Sequence, residues 1–334
     1  METLVVNQHE VPRLLPMREC IDVMARALGS LSRGEATMPQ RQIVWTPDRS
    51  GALGLMPAYA SELGALGVKA VTFFPRNEGT EIDSHQGAVL LFESGRGRLL
   101  AVIDATSVTA IRTAAVSGLA TRLLAREEAG DLAIVGSGVQ ARTHLEAMAI
   151  VRPLRSVRVA SKTFERARAF AERESAARGI GVTPCASVRE AVERADIVCT
   201  TTSSREPVVM GAWLSPGCHV NAVGSSVATA RELDGEAIRR SRLFVDRREA
   251  ARAEAGDFLL AKAEGAVGDD HIAAEIGEVL VGTADGRRGP EEITVFKSVG
   301  LAVEDVAAAH FIHGRARGAA LGRFLEFGGD RHAD

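Results

Sequence analysis

The chain has 334 residues, more than one ordinary core accommodates and suited to two domains. Hydrophobic residues make up 46% and aromatics only 4%, so Ala, Val, Leu and Gly supply the apolar mass, which suits helices packed closely on a sheet. A formal net charge of −3 with interspersed acids and bases argues against nucleic-acid binding. No apolar run reaches bilayer length and the first ten residues lack the order of a signal peptide, so a cytoplasmic protein without nucleic-acid or membrane partners is expected.

In chain order, Met17 to Leu31 has helical apolar spacing and ends at Ser32-Arg33-Gly34. Val68 to Phe74 reads as a strand stopped by Pro75. Gly87 to Phe92 and Leu99 to Ile103 read as strands joined by Ser94-Gly95-Arg96-Gly97, a hairpin. Ser107 to Ala125 is one long helix rich in small residues. From Asp131 the rhythm changes. Strands are predicted at Leu132 to Val135, Val157 to Ala160, Asp196 to Thr200, His219 to Val223, Leu243 to Asp246 and, last, Ile293 to Phe296. A helix over Thr163 to Ala177 and a capping box at Ser187-Val188-Arg189-Glu190 lie between them. Alternating strands and helices predict right-handed crossovers and a parallel sheet. Val303 to Phe327 reads as a long helical stretch that folds back on the first domain.

Leu132 to Val135 runs into Gly136-Ser137-Gly138-Val139-Gln140-Ala141. A strand, a glycine loop and a helix in this order bind the pyrophosphate of a dinucleotide. Gly136 permits the turn, Gly138 lets the phosphates approach the backbone, and Ala141 keeps helix and sheet close. The N–H groups of Val139 and Gln140 at the helix N-terminus face the anion. The alternative is a packing loop in a domain that binds no cofactor. Strand two ends in Ser161-Lys162-Thr163, where NAD-selective sites place an acid. With no carboxylate to repel a 2′-phosphate and Lys162 to attract it, NADP(H) is expected over NAD(H). The alternative is a solvated Lys162, with Glu165 serving the ribose.

The fold class expected is therefore α/β: a Rossmann-type parallel-sheet domain over residues 119–302 and a discontinuous α+β domain from 1–118 with 303–334. The four cysteines form no CxxC pair, and the histidines form no HExxH motif, so no metal site is assigned. Lys69 interrupts the apolar run Gly67-Val68-Lys69-Ala70-Val71 and is either solvated or aimed into a cleft. Arg112 lies among Thr109, Ala110, Thr113, Ala114 and Ala115, and Arg41 follows Pro39. Composition alone favours a structural role for each of these cations over a functional one.

Several segments together carry a resemblance: Gly54-Leu55-Met56-Pro57-Ala58-Tyr59, Val68-Lys69-Ala70-Val71-Thr72-Phe73, Ser84-His85-Gln86, Leu99 to Asp104 and Ile111-Arg112-Thr113-Ala114-Ala115. The glycine loop, Asn221-Ala222-Val223-Gly224, Arg231-Glu232-Leu233-Asp234, Phe296 to Gly300 and Ala302-Val303-Glu304-Asp305 continue it. In order and over nearly the whole chain, the sequence resembles the ornithine cyclodeaminase/mu-crystallin family. The resemblance implies that Arg41 and Arg112 hold a substrate carboxylate and that Lys69 faces the reacting carbon. It implies that Ser84, Arg112, Thr113, Thr202, Val223, Gly224 and Val299 join Gly136, Gly138, Val139, Gln140, Ser161, Lys162 and Thr163 around the dinucleotide. It also implies a homodimer joined through the first domain and a small amino-acid or imino-acid substrate.

Two departures bear on the reaction. Cyclodeaminases of this family carry an Asp two positions after the glycine of Asn-Ala-Val-Gly, matched here by Ser226, and a Glu before Leu-Met-Pro, matched here by Gly54. At both places the chain is more similar to the mu-crystallin, or ketimine reductase, branch. The leading expectation is an NAD(P)H-dependent reductase of small ketimine carboxylates, or a dehydrogenase of the matching amino acids, with Lys69 and Ser226 at the reacting atoms. An ammonia-releasing cyclodeaminase and a non-catalytic nucleotide-binding protein are the alternatives.

Overall fold

The computed structural model describes residues 2–77 and 79–328. Strand β1 (Glu2–Val6) leads to a single turn, α1 (Val11–Leu14), and to α2 (Met17–Ser32). Along α2, Cys20, Ile21, Met24, Ala27, Leu28 and Leu31 are buried at the three-and-four spacing of one helix face. Next come β2 (Ala36–Thr37), β3 (Gln42–Trp45), β4 (Ala52–Ala60), β5 (Ala65–Phe73), β6 (His85–Glu93), β7 (Leu99–Asp104) and α3 (Ala105–Leu124). The alternating part then runs β8 (Asp131–Val135), α4 (Val139–Val151), β9 (Ser156–Ala160), α5 (Phe164–Arg178), β10 (Val182–Pro184), α6 (Val188–Val192), β11 (Ile197–Thr200) and β12 (His219–Ala222). It continues with α7 (Gly235–Arg240), β13 (Ser241–Val245), α8 (Arg248–Glu254), α9 (Gly256–Ala263), β14 (Ile272–Glu275), α10 (Ile276–Leu280) and β15 (Ile293–Lys297). The chain closes with α11 (Ala302–Ala319) and β16 (Arg323–Glu326).

These elements form two compact units, one holding the residues up to Arg112 with those from Leu301 onward, the other Thr113–Gly300. In the first, the sheet order is β16-β1-β7-β6-β5-β4-β2, with β3 also paired to β4. Its long strands are antiparallel, β6 and β7 as the hairpin that the turn residues predict. Helices α2 and α11 pack together and α11 covers β4, β5 and β6. The approach is close: a Cβ on Gly67 would stand 2.6 Å from the Val306 side chain. Strand alternation puts Met56, Lys69, Val89 and Ile103 beneath the helices. The opposite sheet face carries Leu55, Pro57, Val68, Leu90 and Val102, all only partly buried.

The second unit is a sheet of order β10-β9-β8-β11-β12-β15-β13-β14 whose pairings are all parallel. Its central strands are almost wholly buried, β8 and β11 as mostly apolar runs, as burial on both faces demands. Ile293–Lys297 is the last of these strands in sequence, yet it sits between β12 and β13.

Two local expectations need correction. The C-terminal stretch is not helical to Phe327: α11 ends at Ala319, Ala320 takes a left-handed φ of 50°, and Arg323–Glu326 pairs antiparallel with β1. Pairing with an edge strand outweighs local helix propensity there. At Ser187 only half of the capping box forms. The Glu190 N–H donates to Ser187 Oγ, but the Glu190 carboxylate accepts from the Ala186 N–H, one residue early, and the helix is short.

Candidate active site

In the first unit, β5 aims Lys69 toward α11. Lys69 Nζ lies 2.8 Å from Asp305 Oδ2 and 3.4 Å from Thr109 Oγ1. Arg112, on the first turns of α3, donates from Nη1 to Glu304 Oε2 at 2.8 Å and from Nε to Asp305 Oδ1 at 3.0 Å. All four charged side chains are buried, and pairing is what makes that burial tolerable. Glu304 is further engaged as the capping residue of α11, accepting from the Leu301 N–H. Burial pushes the Lys69 pKa down to about 8, with Asp305 opposing that fall and the charges of Arg112 and Arg41 adding to it. Burial works to raise the Asp305 carboxyl, but Arg112 and Lys69 overcome it and hold it below its ordinary value. An ammonium poised near neutrality on a fixed carboxylate can give up and recover a proton in the working pH range. Arg41, itself partly buried, lies between β2 and β3. Ser84, just before β6, has its Oγ 3.1 Å from His85 Nδ1.

In the second unit, the register pairs Val135 with Ala160 and Thr200, Thr200 with Ala222, and Ala222 with Lys297. Because these strands are parallel, the loops that follow them emerge along one edge of the sheet. The glycine loop, Ser161-Lys162-Thr163, Thr202, Val223-Gly224 and Val299 all lie in those loops. This is the carboxyl edge where open α/β sheets bind ligands, and β8 beside β11 is where the strand order reverses.

The glycine loop fits a dinucleotide. Gly136 has φ +118°, and a Cβ there would meet Thr201 Oγ1 at 2.7 Å. A Cβ on Gly138 would meet nothing within 4 Å, so the space beside it is open. Gly138 caps α4 without a side-chain hydrogen bond, leaving the helix N-terminus to an anion. Gln140 Oε1 is buried without a hydrogen-bond partner among the described residues. Ser137 and Ser161 are linked at 2.8 Å between their hydroxyls. Lys162 and Thr163 are exposed, and Thr163 also caps α5 by accepting from the Arg166 N–H.

Thr113 is buried on α3 and is the first residue of the second unit. The Val299 N–H donates to Asp246 Oδ2 at 2.7 Å. Ser226 is exposed in the loop after β12. Sequence reading gave no role to Asp305 and Glu304, which hold Lys69 and Arg112, nor to Glu232, which accepts from Thr200, Thr202 and Gly224. Their only signal was membership of the segments Ala302 to Asp305 and Arg231 to Asp234. Among the described residues, no helix is long and apolar enough to cross a membrane.

Comparison with known proteins places this arrangement among relatives. The sequence model described as the ornithine cyclodeaminase/mu-crystallin family matches residues 1–320. The mouse ketimine reductase mu-crystallin is 43% identical over 296 residues, 88% of this chain and 90% of that protein. The Thermococcus litoralis Delta(1)-pyrroline-2-carboxylate reductase, solved with NADH and L-proline, superposes with a TM-score of 0.93 at 38% identity, covering 96% of this chain and 99% of that one. An archaeal alanine dehydrogenase dimer with bound NAD superposes at 0.92 with 34% identity, covering 98% and 100%. Matched by the family model over residues 1–320 and by relatives along nearly its full length, the chain belongs to the ornithine cyclodeaminase/mu-crystallin family.

Proposed function

We propose that the protein is an NAD(P)H-dependent oxidoreductase that reduces the C=N bond of small ketimine carboxylates, and oxidises the matching amino acids in reverse. The observation that carries this reading is the buried Lys69–Asp305 pair beside Arg112, in a chain whose other unit presents a dinucleotide cradle. A ketimine reductase and a pyrroline-2-carboxylate reductase among the relatives support it.

Arg41 and Arg112 are assigned to the substrate carboxylate, which a guanidinium recognises bidentately. Glu304 and Asp305 orient Arg112 by engaging its Nη1 and Nε. Lys69 is assigned as the acid that protonates the imine nitrogen, and Asp305 as the group that keeps its proton available near neutral pH. Ser226 is assigned a hydrogen bond to the substrate. When bound, the nicotinamide supplies the hydride. Gly136, Gly138, Val139 and Gln140 are assigned to the pyrophosphate, and Ser84, Arg112, Thr113, Thr202, Val223, Gly224 and Val299 to other parts of the dinucleotide. Ser161, Lys162 and Thr163 are assigned to the adenosine ribose. The exposed Lys162, in a segment Ser161-Lys162-Thr163 that itself carries no acid, favours NADP(H) over NAD(H).

A cyclodeaminase is less well supported, because Gly54 and Ser226 offer no carboxylate for a second amino group. The half-exposed apolar sheet face of the first unit supports a homodimer through that face, and the alanine dehydrogenase relative is itself a dimer. Free buried thiols at Cys20, Cys185, Cys199 and Cys218 accord with the reducing cytoplasm.

The test is oxidation of NADPH and NADH, followed at the reduced-nicotinamide absorbance, with pyrroline-2-carboxylate and piperideine-2-carboxylate. Turnover with NADPH preferred supports the proposal. Ammonia release from ornithine without net cofactor reduction would replace it with the lyase.

A further inference from the structure

We propose that Glu232 is a positioning residue for the dinucleotide, a buried clamp that sets the spacing of the two loops reaching the cofactor from β11 and β12. The proposal rests on the nucleotide-binding part of the reading above. Glu232 lies outside every strand and helix of the sheet, yet its side chain is sealed from solvent. Oε1 accepts the Thr202 N–H at 2.6 Å, and Oε2 accepts the Gly224 N–H and the Thr200 hydroxyl, both at 2.7 Å. One carboxylate therefore holds the loop after β11 and the loop after β12 at once. The loops touch there: a Cβ on Gly224 would fall 2.0 Å from the Thr202 carbonyl oxygen and 2.5 Å from Glu232 Oε1. Glycine at 224 is required by this contact and not by its φ.

The clamp is itself held. Asp257 Oδ1 accepts the N–H groups of Glu232 and Leu233, each at 2.8 Å. Asp257 Oδ2 lies 3.0 Å from Lys297 Nζ, and both side chains are fully buried. Lys297 is the last residue of β15, and the next loop carries Val299. Three successive strand ends, β11, β12 and β15, are thus tied through one charged chain that presents no group of its own to solvent. A carboxylate is the only side chain that accepts all three donors without offering one, so an amide of the same shape must turn N–H against N–H. Buried partners of this kind fix ligand-contacting groups and typically change affinity about 10- to 100-fold when lost in the analogous metal sites.

The test uses the full-length protein and compares wild type, Glu232→Gln and Thr200→Val. NADH affinity is read by the fluorescence of the bound nucleotide, and thermal unfolding is recorded in parallel. The expected result is a Kd for NADH weakened about tenfold in Glu232→Gln and about threefold in Thr200→Val. The primary isotope effect with 4-deuterated NADH should rise in both, because a displaced nicotinamide makes hydride transfer more rate-limiting. A merely structural role would lower the unfolding temperature and leave Kd and isotope effect of the folded fraction unchanged, which overturns the proposal. Should Glu232→Gln not fold, Thr200→Val decides by the same criteria. If the wild type binds NADH but reduces no imine, the catalytic reading fails while Kd still decides this one. If it binds neither NADH nor NADPH, both fall.

Discussion

Lys69 Nζ stands 2.8 Å from the Asp305 carboxylate, with side-chain exposures of 4% and 0%. The pair joins the middle of β5 to the first turn of α11, and Arg112 closes it from α3. Its consequence is a pH limb. With Lys69 as the proposed acid, imine reduction needs it protonated, so kcat should fall as pH rises through about 8, the value to which burial lowers this lysine. Amino-acid oxidation should rise through the same range. The Asp305 charge holds the Lys69 pKa up, so Asp305→Asn should move that limb to lower pH. A substrate titration would leave it in place, and a pH–kcat series in both proteins separates the two.

Lys69→Ala and Arg112→Ala should abolish turnover with the fold retained, as read by circular dichroism and activity together. Each removes one cation paired with a buried acid, so a stability loss of about 3–5 kcal/mol is expected alongside. Full activity in either variant would remove these residues from the mechanism.

The two loop glycines should fail differently. Gly138 has φ −89°, which alanine adopts freely, and open space where its Cβ would go. Gly138→Ala should therefore unfold like wild type and bind NADH about tenfold more weakly, by occupying space needed for the close approach of the pyrophosphate. Gly136→Ala must hold φ +118° against Thr201 and should lose about 1–3 kcal/mol of stability in denaturant unfolding.

Cofactor choice should follow Lys162. Lys162→Asp should reverse the preference for NADPH by placing a carboxylate where a 2′-phosphate would lie, a change of about tenfold or more in the ratio of kcat/KM values. An unchanged ratio would assign the selectivity elsewhere.

The apolar sheet face of the first unit should carry the dimer. Val68 and Leu90 are register partners on that face, so Val68→Asp with Leu90→Asp should give a monomer by light scattering. Persistence of the wild-type mass would exclude this face.

Much of this was legible from the chain because it is local. The strand, glycine loop and helix from Leu132 to Ala141 form one continuous segment, and turn geometry, helix dipole and steric room follow from neighbours a few residues apart. The same holds for α2, whose apolar spacing marks its buried face, and for the hairpin at Ser94 to Gly97. By contrast, the short strand Arg323–Glu326 exists only because β1 offers it an edge, and the place of Ile293–Lys297 inside the sheet follows from pairing with β12 and β13. The sequence by itself determined the alternation of strands and helices and the strand, glycine loop and helix segment, through periodicity and residue chemistry, while Arg41, Lys69 and Arg112 stood out only through the family resemblance. Only the tertiary structure decided that Asp305 answers Lys69, that Glu304 answers Arg112, and that Glu232 clamps Thr202 to Gly224. Ion pairing and pKa depend on through-space distance and on burial, and both exist only once distant segments have packed together.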